Sequence, residues 1–209
     1  MIKSDMDPTE YWEGRYQENA RFWSGKPNKL LVREVEDLTP GTALDLGCGE
    51  GGDAVWLAAR GWRVTGVDIS ETALKRSAAF AEESGVADRI SFERHELGKT
   101  FPEGEFDLVS AQFLQSPVAF DQDGVLSQAA GAVAVGGTLL VVMHGSGPSW
   151  HKQPTHVEFP TLEAVVEVLS LPESAWKTEK VEGVVSDFPS PEGEPGTRVD
   201  NVWRWTRTA

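Results

Sequence analysis

The 209 residues contain a single cysteine, Cys48, so the chain cannot close an internal disulfide, which fits a reducing compartment. Basic residues are scarce as well: 19 Lys and Arg stand against 33 Asp and Glu, for a net charge of −14. Such a surface repels nucleic acid and anionic membranes unless cations cluster locally. Arg60, Arg63, Lys75 and Arg76 are scattered rather than clustered. Long apolar runs are missing too. The longest, Thr138 to Met143, falls far short of the roughly 20 residues that span a bilayer. Met1 to Pro8 is polar and acidic, where a secretory leader has a basic stretch followed by an apolar one. No internal repeat occurs, and no linker marks a second domain. These absences predict a soluble cytoplasmic protein of one domain, long enough to bury a full core.

What the chain does have is a glycine-rich turn between an apolar run and a helix-like segment, Ala43-Leu44-Asp45-Leu46-Gly47-Cys48-Gly49-Glu50-Gly51-Gly52-Asp53. A second apolar run, Val64-Thr65-Gly66-Val67, then ends in Asp68. This is the plan of a nucleotide-binding βαβ unit. The spacing predicts strands at Thr42–Leu46, Trp62–Val67, Arg89–Glu93, Phe106–Ala111 and Gly137–Met143. Helices are predicted over Pro8–Asn19, Asn28–Asp37, Gly51–Arg60, Gln122–Val133 and Thr161–Leu169, with another capped by Ser70 and closed by Gly85. Alternation of this kind builds a mostly parallel sheet with helices on both faces. Two further strands, Trp176–Phe188 and Thr197–Thr206, are joined by an acidic Pro/Gly loop too short for a crossover, so they pair antiparallel. Trp203 and Trp205 alternate along the last strand and belong to the core.

Gly47-x-Gly49-x-x-Gly52 satisfies the dinucleotide pattern, and on that pattern alone an NAD-dependent oxidoreductase is permitted. The neighbouring acids argue otherwise. Asp45, Glu50 and Asp53 crowd the turn. A carboxylate about 4 Å from a phosphate costs roughly 1 kcal/mol in water, and more where burial lowers the dielectric. The same acids suit a cation. S-adenosylmethionine carries a sulfonium and an ammonium and no phosphate, and Asp68 would accept from its ribose hydroxyls.

Four stretches now resemble one family. Leu44-Asp45-Leu46-Gly47-Cys48-Gly49-Glu50-Gly51 is similar to the first motif of class I S-adenosylmethionine-dependent methyltransferases, and Gly66-Val67-Asp68-Ile69-Ser70 to the end of their second strand. Glu105 to Ala111 resembles their fourth strand and Gly136 to Val141 their fifth. The resemblance implies an α/β, Rossmann-like, doubly wound seven-stranded sheet of order 3-2-1-4-5-7-6 with a C-terminal antiparallel hairpin. It implies that Asp45 and the Gly47, Cys48 and Gly49 backbone hold the methionine moiety. Asp68 would take the ribose and Ile69 the adenine face. Glu96, with Leu97, stands where the family often has an Asp for the adenine amino group, and the longer side chain is a departure. Ala111 and Gln112 would lie near the transferred methyl.

Tyr11, Trp12 and Tyr16, followed by Phe22 and Trp23, resemble the lids of small-molecule methyltransferases of the thiopurine, halide/thiol and tellurite-resistance type. Residues 1–40 are therefore expected to form a lid, with Trp12, Tyr16 and Trp23 against the substrate, and residues 41–209 the methyltransferase domain. The expected partner is a small molecule, with no nucleic acid or membrane, on a monomer or homodimer. The expected product is S-adenosylhomocysteine. Methyl transfer from a sulfonium needs alignment and exclusion of water more than acid–base chemistry. A protic acceptor calls for a base, and His144 at the end of the fifth strand is the candidate base or substrate contact. His144, His151 and His156 have spacings that fit no helix-face zinc motif, so no metal is expected. Cys48 fits as a small packing residue of the turn. A non-catalytic S-adenosylmethionine-binding protein remains a second alternative, since the displacement leaves no obligatory catalytic signature.

Overall fold

The computed structural model describes residues 6–18, 20–151 and 159–209. Seven strands form one sheet of order β3-β2-β1-β4-β5-β7-β6, as the sequence predicts. They are β1 (Thr42–Leu46), β2 (Arg63–Asp68), β3 (Ile90–Arg94), β4 (Phe106–Gln112), β5 (Val133–His144), β6 (Trp176–Asp187) and β7 (Thr197–Arg207). The first five run parallel, and β7 runs antiparallel to both β5 and β6. Six helices accompany them: α1 (Pro8–Glu18), α2 (Lys29–Val35), α3 (Gly52–Ala59), α4 (Glu71–Glu83), α5 (Gln122–Gly131) and α6 (Leu162–Leu169). Among the described residues no helix is long and apolar enough to cross a membrane.

The period of two along the strands sorts the core into two layers. Leu139, Val141 and Met143 of β5 face α5 and α6, together with Trp203 and Trp205 of β7. Leu140, Val142 and Val202 face the other way, toward Leu31 and Val35 of α2 and Leu57 of α3. Trp203 is fully buried, and its indole N–H donates to the Leu162 carbonyl at the start of α6. The caps fall where polar side chains can accept the first free amides: Asn28 for α2, Ser70 for α4 and Thr161 for α6.

Several boundaries differ from the sequence expectation, and two of the differences follow from strand pairing. The helix expected to reach Val133 stops at Gly131, because Val133 pairs with Phe106 and begins β5 ahead of a bulge. At its far end β5 runs one residue past Met143, so that His144 pairs with Asp200 of β7.

Candidate functional site

All five parallel strands end at the same edge of the sheet, and the sheet order reverses between β1 and β4. A doubly wound sheet opens a crevice at such a point. A cleft of about 1150 Å³ lies there, roofed by residues that precede β1. Beneath it the chain leaves Leu46 through Gly47, Gly49 and Gly51 at φ of 69°, 55° and 81°. These are conformations that only glycine adopts cheaply. Space also requires glycine: a Cβ on Gly47 would sit 2.6 Å from Leu114 Cδ1, and one on Gly49 3.0 Å from the Tyr16 hydroxyl oxygen. The backbone of the turn is thereby open to close approach, with aromatic side chains directly above it.

The acids around this turn divide into two kinds. Glu50 is neutralised: its Oε1 pairs with Arg76 at 2.8 Å, and its Oε2 accepts the backbone N–H groups of Phe22 and Trp23 at 3.0 and 2.8 Å. The expectation that Glu50 adds free negative charge to the turn is thus corrected, since it anchors the N-terminal segment. Asp45, Asp53 and Asp68 have no ion-pair partner among the described residues. Asp45 is buried with Oδ2 lacking a hydrogen-bond partner, and burial together with the charges of Asp53 and Asp68 pushes its pKa well above the ordinary carboxylate value. Burial raises Asp53 to about 6, against an amide bond from Asn28. Asp68 is likewise raised to about 6 by burial, although Ser70 N and Gly49 N donate to it at 2.9 and 3.0 Å. The turn thus presents three carboxyl groups that no described side chain neutralises, while the cations of the cleft lining, among them Lys26, Lys29 and Arg198, make no ion pair with them. Such a turn fits a cationic ligand with hydroxyls near Asp68 and opposes a pyrophosphate.

The N-terminal segment is held by polar side chains. Glu13 of α1 accepts from the Ser70 and Thr72 hydroxyls and from Thr72 N at the start of α4, and these bonds outweigh burial to lower its pKa to about 2. Asp53 accepts from Asn28 N at 2.6 Å. Trp12 Nε1 donates to Ser116 Oγ at 3.3 Å, and Trp23 Nε1 to the Tyr16 hydroxyl at 3.2 Å. Trp12, Tyr16 and Trp23 all line the cleft; Trp23 is 51% exposed, whereas Tyr16 is buried at 4%.

At the opposite end of the cleft stands His144. Its Nδ1 lies 2.8 Å from Asp200 Oδ1, its backbone N–H donates to Gln115 Oε1 at 2.8 Å, and its ring stacks on Phe113 at 4.3 Å between centroids. Arg198 binds Asp200 through two nitrogens, each at 3.1 Å, and lies over Phe188 at 4.5 Å. Burial opposes the charge of Asp200, yet the bonds from His144 and Arg198 hold its pKa below the usual value.

Of the residues expected at a cofactor site, Gly47, Cys48, Gly49, Asp68, Ile69, Glu96, Leu97 and Gln112 line the cleft. Asp45 and Ala111 are not among the lining residues: both side chains are buried, in β1 and β4. Glu96 reaches the wall already paired with Lys99. Cys48 is buried, and burial with the charges of Asp68 and Asp45 pushes its thiol pKa well up, so it packs as expected and carries little thiolate. His151 is exposed beside Trp150, and His156 lies outside the described residues. Sequence reasoning missed Glu13, Phe113, Arg198 and Asp200. Only the strand register brings Asp200 opposite His144, and no local motif encodes register.

The acids give the site a pH signature. Asp53 and Asp68 titrate near 6 in the folded chain against 3.8 for a free side chain, so between those values the folded state holds protons that the unfolded state has released. Their contribution to stability is therefore greatest below about pH 4 and falls as pH rises through about 6. Glu13 works oppositely: its contribution is present above about pH 4.5 and is lost as pH falls through about 2. The ligand-free protein should melt higher at about pH 5.5 than at about pH 7.5, and Asp68→Asn should remove part of that rise. A thermal-shift series across pH reads both; an identical pH dependence in the variant contradicts the burial of an ionised Asp68.

Residues 43–137 match the family model described as a methyltransferase domain. Over 101 residues, 47% of this chain and 45% of the relative, the sequence is 36% identical to a probable thiol methyltransferase 2 of Arabidopsis thaliana. A structure solved for the conversion of a disulfide bond into a thioacetal group during echinomycin biosynthesis superposes with a TM-score of 0.71 and 23% identity, over 95% of this chain and 92% of that one. TehB from Haemophilus influenzae superposes with a TM-score of 0.69 and 16% identity, over 95% and 66% of the two chains. The likeness to these two structures is one of fold. The sequence relatives, which include methyltransferases of ribosomal RNA and of tocopherol, are longer: the matched stretch spans 22%, 31% and 45% of three of them.

Proposed function

From the premise that this chain carries a class I S-adenosylmethionine-dependent methyltransferase domain, we propose that it transfers the methyl group of that cofactor to a small-molecule acceptor held in the cleft, releasing S-adenosylhomocysteine. The observation that carries the reading is the glycine turn at the switch point, with Asp45, Asp53 and Asp68 beside it and, among the described residues, no ion pair to any of the three. In this reading Asp68 accepts from the ribose hydroxyls, Ile69 and Leu97 pack on the adenine, and Glu96 faces its amino group. The Gly47–Gly49 backbone and Gln112 border the methionine end. Asp45 lies beneath the turn, where a bound cation would favour the ionised form that burial disfavours. A dinucleotide oxidoreductase is not favoured, because its pyrophosphate would meet the same acids.

The cofactor supplies an electrophilic methyl whose leaving group becomes neutral. The protein's work is then to align the acceptor behind the methyl carbon and keep water out. Residues 1–40 are proposed as the cover that does this, with Trp12, Tyr16 and Trp23 against the acceptor and residues 41–209 as the domain beneath. Relatives named for chemistry at sulfur, at oxygen and on RNA leave the acceptor to be read from this chain's own side chains. The net charge of −14 supports an acceptor other than RNA. The single cysteine fits a reducing compartment and supports a cytoplasmic assignment.

Release of S-adenosylhomocysteine on incubation with S-adenosylmethionine and a panel of thiols, phenols, halides and chalcogen oxyanions tests the activity; bound cofactor that is never consumed with any acceptor would favour a silent binding protein. Trp23→Ala tests the cover. Because the side chain is 51% exposed, its loss should move the melting temperature little while raising the KM for the acceptor about tenfold, the equivalent of about 1.4 kcal/mol. A large fall in melting temperature with unchanged kinetics would make Trp23 a packing residue instead.

A further inference from the structure

The end of the cleft away from the glycine turn holds a cluster that binding the cofactor does not require. His144 and Asp200 face each other across the β5–β7 pair, joined by the 2.8 Å contact between Nδ1 and Oδ1. Asp200 is 5% exposed, accepts a hydrogen bond from Arg198 Nη2 on Oδ2 and lies in ion-pair contact with the same guanidinium, so it is ionised and only accepts hydrogen bonds. The proton between the two residues therefore belongs to Nδ1 of His144. Nε2 then carries the lone pair, and among the described residues it has no partner; the imidazole edge lines the cleft. Phe113 stacks on the ring, and the Gln115 side chain accepts from the His144 backbone N–H. Phe113 is one of two non-glycine residues described with positive φ, at 53°. Backbone strain of that kind persists where the surroundings over-determine it. Here it turns an aromatic face toward the imidazole. The same cleft is lined by the flat or apolar side chains of Trp12, Leu114, Phe120 and Phe188, with the acids Asp121 and Asp187 next to the two phenylalanines in the chain.

We infer that Asp200 is a positioning residue that presents Nε2 of His144 as a proton acceptor, and that the methyl acceptor is a flat aromatic molecule bearing a weakly acidic hydroxyl. The inference rests on the methyltransferase reading above and names its substrate class. In the step, the acceptor oxygen forms a bond to the methyl carbon as the carbon–sulfur bond of the sulfonium breaks, and that bond's electron pair stays on sulfur. The hydroxyl proton passes to Nε2, giving an imidazolium that Asp200 stabilises, and it leaves later to water. A thiol of the same shape, largely ionised without help, gains little from this arrangement.

Nitrogen-resolved NMR of the full chain with S-adenosylhomocysteine bound reads the tautomer directly. The Nδ1–H form is expected for His144. In Asp200→Asn the side-chain amide can donate to Nδ1, so the Nε2–H form should replace it. With 1-naphthol as acceptor, Asp200→Asn should lose about 100-fold in kcat with KM changed less than threefold, and His144→Gln should lose as much. Methylation of 1-naphthalenethiol should change less than threefold in the same variants. An Nε2–H tautomer in the wild type, an equal loss for thiol and naphthol, or methylation of neither compound overturns the inference. Calorimetric binding of S-adenosylmethionine to the same preparations separates the two levels. If the cofactor binds, only the acceptor class and the role of Asp200 fall; if it does not, the methyltransferase reading falls with them.

Discussion

Asp68→Ala is expected to weaken S-adenosylmethionine binding by two to three orders of magnitude while leaving the fold in place. The carboxylate ends β2 at the cleft wall, and in the proposed complex both oxygens accept from ribose hydroxyls. Hydrogen bonds to a charged acceptor contribute about 1.5–3 kcal/mol each, so two of them amount to roughly 3 kcal/mol or more, and each 1.4 kcal/mol is tenfold in affinity. Folding should be little affected because two contributions oppose. The variant loses the bonds from Gly49 N and Ser70 N, and it also loses a carboxylate that burial holds at a pKa of about 6. The competing role, capping of α4, belongs to the Ser70 side chain, which accepts from Ala73 N at 3.1 Å. Calorimetric affinity beside a melting curve reads the outcome: unchanged affinity with a lowered melting temperature would return Asp68 to a purely structural part.

The largest loss of stability is expected from Trp203→Ala. Its ring is fully buried, pairs across the sheet with Val141, and donates its indole N–H to Leu162 at 3.0 Å. Deleting a core tryptophan costs about 3–5 kcal/mol through lost burial and the cavity left behind, and here the Leu162 carbonyl also loses its donor. With a urea slope of about 2 kcal/mol per molar, the midpoint should fall by about 1.5 M or more. Trp23→Ala, on the exposed wall of the cleft, should shift it by a small fraction of that. Equal shifts for the two variants would mean that the division into core and wall is wrong.

The contrast between these tryptophans marks how far the sequence can be read. Trp203 and Trp205 sit two apart in a β-branched strand, and a period of two settles which face they share. Alternation of strands and helices plus one short hairpin gives a mostly parallel sheet with an antiparallel end, while the strand order came from the family resemblance. The glycine turn and Asp68 were legible for a related reason: a turn needing positive φ and an acid ending the next strand are local features. Glu50 was misread because its partners, Arg76 and the amides of Phe22 and Trp23, lie about 26 residues along the chain in either direction. The depth of Asp45 and Ala111 was not legible, since alternation tells which face of the sheet a residue takes but not whether the turn above covers it. Asp200 was invisible for want of register: moving β7 by one residue against β5 would bring Val199 or Asn201 opposite His144 and leave no dyad.

The central claim is that the uncompensated acids around the glycine turn select a cationic nucleoside over a dinucleotide. Calorimetric titration of the wild-type chain with S-adenosylmethionine, S-adenosylhomocysteine and NAD, under one buffer near neutral pH, tests it most directly. Micromolar binding of the first two and none of the third is the predicted result. Binding of NAD with no response to either adenosyl compound would contradict the reading of Asp45, Asp53 and Asp68, and with it the chemistry assigned to the cleft.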